Sequence, residues 1–201
     1  MSDSLRALAE RGVLRKLAGG AQIIIEGDRG DTLFIVLVGG LRAFGAGADG
    51  RKVVFSEYGP GEYVGEMGLD GGPRSAHVET VCATTVAMVT RPTLEAHLRA
   101  DPDFAFELLG KVIGLARNAT WGMKSIALVS TYGRLKAQLE QHRPASPKEP
   151  WCLHASQRQI SERIGCSRPM VSRLLKDLAA GGVVVLERQK VTVLKPLPAD
   201  W

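Results

Sequence analysis

The chain has 201 residues, 45% hydrophobic and 23% charged, which is ordinary for a globular protein of one or two domains. Its apolar runs are far shorter than the roughly 18 residues of a membrane span. Its N-terminus lacks the layout of a secretory signal, and its three cysteines have no metal-like spacing. We therefore expect a bacterial, cytoplasmic protein without membrane contact and without a metal site.

The formal net charge of +5 is unevenly distributed. Residues 1–129 hold 14 Lys and Arg against 15 Asp and Glu, whereas residues 130–201 hold 12 against 6. A basic excess confined to one part of a chain favours a polyanionic partner for that part, most often nucleic acid. On charge alone, a solvated basic face explains the excess equally well.

Residues 20–90 alternate short runs rich in Val, Ile, Thr and Phe with turns that contain glycine. Such runs are typical of strands, and their close spacing favours an antiparallel barrel or jelly roll over alternating strands and helices. The predicted strands are residues 22–25, 32–38, 41–44, 52–58, 76–83 and 86–90. We assign this β domain to residues 1–100.

A long helix with a heptad pattern is predicted for residues 101–129. Asp101 and Pro102 are typical of a helix N-cap followed by a proline in the first turn. Apolar or small residues then recur at alternating spacings of 4 and 3, namely Leu108, Val112, Leu115, Ala119, Gly122, Ile126 and Val129. This narrow stripe predicts a dimerisation helix, and the alternative is an amphipathic helix packed on its own barrel.

Two short helices joined by a tight turn are predicted within residues 130–201. Ser156 and Gln159 form a capping-box pattern at the start of the first helix, which ends at Gly165. Ser167 is the predicted N-cap of the second helix, which extends to about residue 180. Two such helices form a helix-turn-helix, the motif that places its second helix in the major groove of DNA.

Further elements flank this helix pair. They are a helix at about 132–143, a proline-rich loop at 144–150, and a hairpin formed by the apolar runs 183–186 and 191–194. The hairpin tip carries Arg188 and Lys190. A basic hairpin beside a helix-turn-helix predicts a wing.

The second helix of the pair carries the side chains expected to contact base edges. Arg168 and Arg173 can each form a bidentate pair with guanine O6 and N7. Ser156 and Gln157 are placed for phosphate contacts, which position the protein on the duplex. The predicted DNA-binding residues are Ser156, Gln157, Ser167, Arg168, Arg173, Lys176, Arg188 and Lys190. The alternative is a basic helical hairpin in a protein that does not bind DNA.

A glycine-rich stretch, residues 65–76 (the cassette), is the other dense group of functional residues. Glycine-rich turns expose backbone N–H groups that can hold an anion. Arg74 and Ser75 can bind a phosphate, and Glu66 can accept a hydrogen bond from a sugar hydroxyl. Together they suit a ligand with both phosphate and ribose, whereas a surface Glu–Arg pair on a loop is the alternative.

Residues 160–176 resemble the helix-turn-helix of the CRP/FNR regulators in the sequence ISERIGCSRPMVSRLLK. The resemblance implies that Arg168 and Arg173 contact bases. Where the family often has a glutamate that contacts a base, this chain has Pro169, which offers no side-chain acceptor. The operator is therefore expected to be relaxed or altered at that base pair.

The cassette resembles the phosphate-binding cassette of cyclic-nucleotide-binding domains. The resemblance implies that Glu66 binds the ribose 2′-hydroxyl, that Arg74 and Ser75 bind the cyclic phosphate, and that the glycine and alanine at its ends allow close backbone approach. Aligned on Gly133 and Arg134, Thr120 falls where the family contacts the base. The implied ligand-binding residues are Gly65, Glu66, Met67, Arg74, Ser75, Ala76 and Thr120.

The base itself is less constrained by the sequence. The position beside Thr120 is Ala119, which lacks the hydroxyl of the cyclic-AMP receptors. Cyclic AMP is the leading candidate effector, with cyclic GMP and a cyclic dinucleotide as alternatives.

Taken together, the sequence predicts an α+β chain with a jelly-roll ligand domain (1–100), a dimerisation helix (101–129) and a winged helix-turn-helix (130–201). The expected function is that of a ligand-regulated transcription factor, a homodimer on a palindromic double-stranded operator, with RNA polymerase as a further candidate partner. The alternative is a cyclic-nucleotide-binding module that regulates a partner protein. An enzyme is not expected, since the four histidines are scattered and no paired carboxylates or nucleophile–base group stands out.

Overall fold

The computed structural model describes residues 1–141, 143–144 and 150–200, so most of the predicted proline-rich loop lies outside the described residues. The chain forms two compact units. The first unit combines Met1–Ala46 with Val54–Thr120, and the second combines Gly47–Val53 with the chain from Trp121 onwards. None of the helices in the described part of the chain is long and apolar enough to cross a membrane.

The N-terminal part of the chain contains eight strands among its described residues, and a long helix follows it. In chain order the elements are α1 (Asp3–Glu10), β1 (Val13–Leu17), β2 (Gln22–Ile24), β3 (Leu33–Val38), β4 (Leu41–Ala46), β5 (Lys52–Tyr58), β6 (Tyr63–Val64), a 3-10 helix (Glu66–Gly68), β7 (His77–Thr80), β8 (Thr84–Val89), α2 (Arg91–Ala100) and α3 (Phe104–Leu128). The strands form two four-stranded sheets, ordered β1-β8-β3-β6 and β2-β7-β4-β5. The predicted N-terminal β domain is confirmed.

Strand β3 shows how the sequence builds the core of this domain. Leu33 and Ile35 are fully buried on one face, in a cluster with side chains of α1, α2 and α3. Val36 is fully buried on the other face, in a second cluster with residues of the opposite sheet. Because successive side chains of a strand alternate between its faces, one apolar run serves both clusters. Burial of each such side chain contributes about 1.5–3 kcal/mol.

Several elements of this part differ from the sequence-based expectation. Helices α1 and α2 and strands β1 and β6 were not predicted, and the predicted strand 76–83 ends at Thr80. The long helix begins at Phe104, three residues later than expected. The carboxylate of Asp101, predicted to cap that helix, instead accepts a hydrogen bond of 2.5 Å from Ser4 Oγ and so holds α1.

The second unit contains the predicted helix-turn-helix and wing. Its elements are α4 (Thr131–Glu140), β9 (Trp151–Leu153), α5 (Gln157–Ile164), α6 (Arg168–Ala180), β10 (Val184–Glu187) and β11 (Lys190–Val193). The strands form one sheet in the order β10-β11-β9. Strand β9 was missed because three residues are too short for a pattern to show.

The capping signals in this unit are confirmed in detail. Ser156 Oγ accepts a hydrogen bond from the backbone N–H of Gln159 (3.2 Å), and Gln159 Oε1 accepts one from the backbone N–H of Ser156 (2.8 Å). Gly165 ends α5 with a φ of 63°, and Ser167 caps α6. These local interactions fix where each helix begins and therefore which side chains face outward.

Replacement of Gly165 by alanine is expected to destabilise the helix-turn-helix by about 1–2 kcal/mol, since an L-residue is strained in the left-handed region. No heavy atom lies within 4 Å of an added Cβ, so the cost comes from the backbone alone. Gly181→Ala is the matched control: with a φ of −76° it should change the free energy of unfolding by less than about 0.5 kcal/mol. Amide hydrogen exchange in α5 and α6 measures both, and equal effects would contradict the backbone argument.

Candidate functional site

The cassette begins with a tight turn that only glycine permits. Gly65 follows β6 with a φ of 107°, and a Cβ there would lie 2.5 Å from the carbonyl oxygen of Thr32. A Cβ on Gly68 would lie 2.6 Å from the carbonyl oxygen of Gly30. The backbone of the turn therefore packs directly on the chain before β3, and the spaces left by the glycines are part of its shape.

Arg74 lies buried inside this turn. Its guanidinium donates through Nη1 to the carbonyl of Gly65 (2.8 Å) and through Nη2 to the carbonyl of Thr32 (2.9 Å). Burial lowers the pKa of Arg74, and the negative charges of Asp31 and Glu66 oppose that shift, so the side chain stays cationic. Arg74 thus holds the cassette against the start of β3, a structural role that the sequence did not indicate.

Glu66 is buried at the start of the 3-10 helix, with 7% of its surface exposed. Its Oε2 has no hydrogen-bond partner among the described residues. Burial raises the pKa of this carboxyl, whereas a hydrogen bond with its own backbone and the charges of Lys111 and Arg74 lower it. A buried carboxylate oxygen without a partner is costly unless something supplies a donor. Glu66 therefore has the free acceptor that a ligand hydroxyl requires.

Three residues around Glu66 were missed by the sequence analysis. Lys111 of α3 donates from Nζ to the backbone carbonyl of Tyr63, and it lies 4.0 Å from the centroid of the Tyr63 ring and 4.8 Å from that of Tyr58. In the heptad pattern Lys111 precedes the predicted seam residue Val112, a position where a lysine normally faces water. Only the three-dimensional packing shows that it faces the cassette domain.

The structure brings most of the predicted ligand-binding residues together. Gly65, Glu66 and Arg74 form one buried group, and Ser75 Oγ donates to Met67 Sδ across the cassette (3.3 Å), with both side chains exposed. Ala76 is partly buried beside them. Thr120 is different: it is exposed on α3, donates to the carbonyl of Ala116 (3.0 Å), and makes no hydrogen bond with the cassette in the described structure.

Helix α3 presents a largely unpacked apolar surface. Phe104 is its one buried residue in the described chain, and Leu108 packs against the core of the first unit. The rest of the predicted seam is open except for the half-buried Leu115, with Ile126, for example, 61% exposed. Packing on its own barrel therefore accounts for the first turns of the helix only. A long exposed apolar helix surface is typical of an interface with another chain.

The outward face of α6 carries the predicted basic side chains. Arg168, Arg173 and Lys176 are exposed, and none of them forms an ion pair within the described residues. The opposite face is buried in the core of the second unit through Val171, Leu174, Leu175 and Leu178. The helix is thus anchored on one side and presents three cations on the other.

A cavity of about 270 Å³ joins the other predicted DNA contacts to this helix. Its polar lining comes from the start of α5, the start of α6 and the wing, namely Ser156, Gln157, Arg158, Arg168, Glu187 and Arg188. At the wing tip Lys190 is paired with Glu187 (3.4 Å), which leaves Arg188 as the exposed cation there. The cavity therefore brings together four of the predicted DNA-binding residues, namely Ser156, Gln157, Arg168 and Arg188.

Arg134 of α4 links two helix ends, which the sequence analysis did not foresee. Its Nε donates to the carbonyl of Ile164 at the end of α5 (2.9 Å), and its Nη1 donates to the carbonyl of Val129 just after α3 (2.7 Å). The carbonyls at a helix end lack intrahelical partners. Arg134 satisfies one at each end and so joins the end of α3 to the helix-turn-helix.

Comparison with known protein families agrees with both parts of this site. Residues 14–101 match the family model described as cyclic nucleotide-binding domain, and residues 133–197 match the Crp-like helix-turn-helix domain. The chain belongs to the CRP/FNR family. Its ligand domain and DNA-binding domain make this CRP/FNR protein a ligand-regulated DNA-binding transcription factor.

Similar proteins cover nearly the whole chain. A "CRP-like cAMP-activated global transcriptional regulator" of Mycobacterium tuberculosis is 26% identical over 180 residues, which are 87% of this chain and 80% of that protein. The "cAMP-activated global transcriptional regulator Vfr" of Pseudomonas aeruginosa is 26% identical over 200 residues, 95% and 92% of the two chains. The c-di-GMP responsive global regulator CLP of Xanthomonas campestris has a similar structure, with a TM-score of 0.84 at 22% identity over 96% of this chain and 99% of that one. The predicted α+β architecture is confirmed.

Proposed function

We propose that this CRP/FNR protein is a homodimer whose affinity for a palindromic DNA operator is controlled by a cyclic nucleotide bound at the cassette. The observation that carries the proposal is the buried, unpartnered Oε2 of Glu66 beside a glycine turn and a cationic arginine. These residues fit a cyclic nucleotide: Glu66 accepts from the ribose 2′-hydroxyl, while Arg74 and Ser75 hold the cyclic phosphate. Gly65, Met67 and Ala76 shape the rest of the cassette.

Cyclic AMP is the proposed effector because two relatives that span most of the chain carry the description cAMP-activated. The position of Thr120 on α3 suits a contact to the base, but Ala119 beside it has no hydroxyl. Cyclic GMP and a cyclic dinucleotide therefore belong in every ligand titration. The structural similarity to a regulator described as c-di-GMP responsive adds weight to including the last.

The proposed dimer forms through residues 101–129, whose apolar surface is exposed along most of α3. Two copies would present two α6 helices to half-sites about one helical turn of DNA apart. Arg168 and Arg173 contact bases, and Ser156, Gln157, Lys176 and the wing contact phosphates. Ligand binding would favour the DNA-competent one of two conformational states. The two states would differ in a hinge near residues 129–131, where Arg134 donates to the carbonyl of Val129. RNA polymerase on the same promoter is the proposed downstream partner.

The test is a titration of operator affinity by fluorescence anisotropy, with an operator selected from random duplexes by the protein itself. We expect cyclic AMP to raise the affinity by about 5–150-fold, the usual range of allosteric coupling, and cyclic GMP and cyclic di-GMP to raise it less. Equal affinity with and without all three ligands would show that the cassette does not regulate DNA binding. Weak DNA binding without salt dependence would favour a module that acts on a partner protein.

A further inference from the structure

Two buried polar atoms near the cassette have no hydrogen-bond partner in the described chain: Glu66 Oε2 and Tyr63 Oη. Tyr63 and Glu66 are close enough to influence each other, since the pKa of Tyr63 is raised by burial and by the charges of Glu107 and Glu66. The cassette region therefore combines a carboxyl that needs a donor with a phenol that stays protonated. A carboxylate is a stronger hydrogen-bond acceptor than a neutral carboxyl, so the ionisation state of Glu66 matters for binding a hydroxyl.

The ammonium of Lys111 is held beside these two groups. It donates to the backbone carbonyl of Tyr63 and lies over the rings of Tyr63 and Tyr58, at 4.0 and 4.8 Å from their centroids. A cation is attracted to the faces of aromatic rings, and the carbonyl fixes its direction. Lys111 forms no ion pair in the part of the chain that the structure describes. Its charge acts on Glu66 through space.

The electrostatic interaction between Lys111 and Glu66 is mutual. Burial raises the pKa of Glu66, and a hydrogen bond with its own backbone lowers it; among the charged side chains Lys111 lowers it most, followed by Arg74. Burial lowers the pKa of Lys111, and Glu66 raises it, followed by Glu62. Arg74 already donates to two backbone carbonyls. The other charged groups facing the cluster are Glu62 toward Lys111, Glu107 toward Tyr63 and Asp31 toward Arg74.

We propose that Lys111 is a positioning residue that keeps Glu66 ionised and so makes the pocket select ligands with a ribose 2′-hydroxyl over their 2′-deoxy analogues. The proposal rests on the proposed function of the same pocket. A hydrogen bond to an ionised carboxylate is about twice as strong as one to a neutral acceptor. A ligand without the hydroxyl gains nothing from that charge, so Lys111 sets selectivity rather than general affinity.

The test measures binding of cyclic AMP and 2′-deoxy cyclic AMP by calorimetry between about pH 5 and pH 8, the range in which a raised carboxyl pKa matters. In Lys111→Met the pKa of Glu66 rises further, so the carboxyl is neutral at low pH and ionises only as the pH increases. We expect this variant to bind cyclic AMP about tenfold more weakly near pH 6, because a neutral carboxyl is a weaker hydrogen-bond acceptor than a carboxylate. Affinity should recover as the pH rises, and binding of the deoxy analogue should stay as in the wild type.

Two further variants separate the effect of the charge of Lys111 from the effects of its packing and its hydrogen bond. Lys111→Arg keeps the charge and should keep the wild-type selectivity and pH profile. Lys111→Gln keeps a donor for the carbonyl of Tyr63 without the charge, and should behave like Lys111→Met. If Lys111→Gln behaves like the wild type, the hydrogen bond rather than the charge matters, and the proposal is wrong.

A second readout needs no ligand. The carboxyl carbon of Glu66, assigned in NMR spectra by comparison with Glu66→Gln, should titrate at higher pH in Lys111→Met than in the wild type or Lys111→Arg. Equal titration curves would overturn the role of Lys111, whatever the binding measurements show. A wild-type protein that binds no cyclic nucleotide overturns the proposed function instead, so the two failures are distinguishable.

Discussion

Replacement of Arg74 by methionine is expected to abolish the ligand response of operator binding and to destabilise the first unit by about 2–4 kcal/mol. The guanidinium donates to the carbonyls of Thr32 and Gly65, and both lose their charged donor in the variant. A buried acceptor left without a donor costs about 1–3 kcal/mol. We expect the ligand response to be lost because the variant also removes the cation proposed to hold the phosphate.

The measurement has two parts. Amide hydrogen exchange in β3 reports on the stability of the first unit, and anisotropy with labelled operator reports on DNA binding with and without cyclic AMP. Arg91→Met is the matched control, because Arg91 is an exposed arginine paired with Glu95 on the surface of α2, a type of pair worth at most about 1 kcal/mol. Normal stability and a normal ligand response in Arg74→Met would contradict both roles of Arg74.

Arg74→Lys separates the two roles. Lysine keeps a positive charge near the phosphate, but its single ammonium lacks the planar fork that spans two carbonyls. We expect stability to fall nearly as far as in Arg74→Met, while part of the ligand affinity remains. The opposite outcome, full stability without ligand binding, would show that the fork is needed for the phosphate and not for the turn.

The cassette and the helix-turn-helix were predictable because their signals are local. Gly65, Glu66 and Arg74 lie within ten residues of one another, and the capping residues Ser156 and Gln159 act within a single helical turn. Such patterns can be recognised without knowing which distant parts of the chain meet. The positions of α5 and α6 followed directly.

The missed features depend on contacts between distant segments. Lys111 and Tyr63 are 48 residues apart, and a lysine beside a heptad seam gives no sign that it packs over two tyrosines. Asp101 was predicted to cap α3, but Ser4 competes for its carboxylate from 97 residues away. Strand β1 was missed because it is exposed along nearly its whole length, so its sequence shows no alternation.

The largest effect expected in the DNA-binding unit comes from Arg173→Ala, which should weaken binding to the selected operator by about 1–3 kcal/mol. Arg173 is exposed on α6, while Leu174 and Leu175 beside it are buried in the core. Removal of its side chain therefore leaves the helix anchored and takes away only the outward contact. If the proposed bidentate contact of Arg173 to guanine is lost at one base pair of each half-site, discrimination at that position should relax.

Lys176→Ala is the comparison that distinguishes a base contact from a phosphate contact. Lys176 lies on the same exposed face of α6 and is proposed to contact a phosphate. Its loss should therefore weaken binding to operator and to scrambled DNA about equally. The slope of the logarithm of the binding constant against the logarithm of the salt concentration should fall in magnitude by about 1. Arg173→Ala should instead spare scrambled DNA. If both variants lose affinity equally on both duplexes, Arg173 contacts only the backbone. Base specificity would then rest on Arg168 and on DNA shape, since Pro169 supplies no side-chain acceptor to replace it.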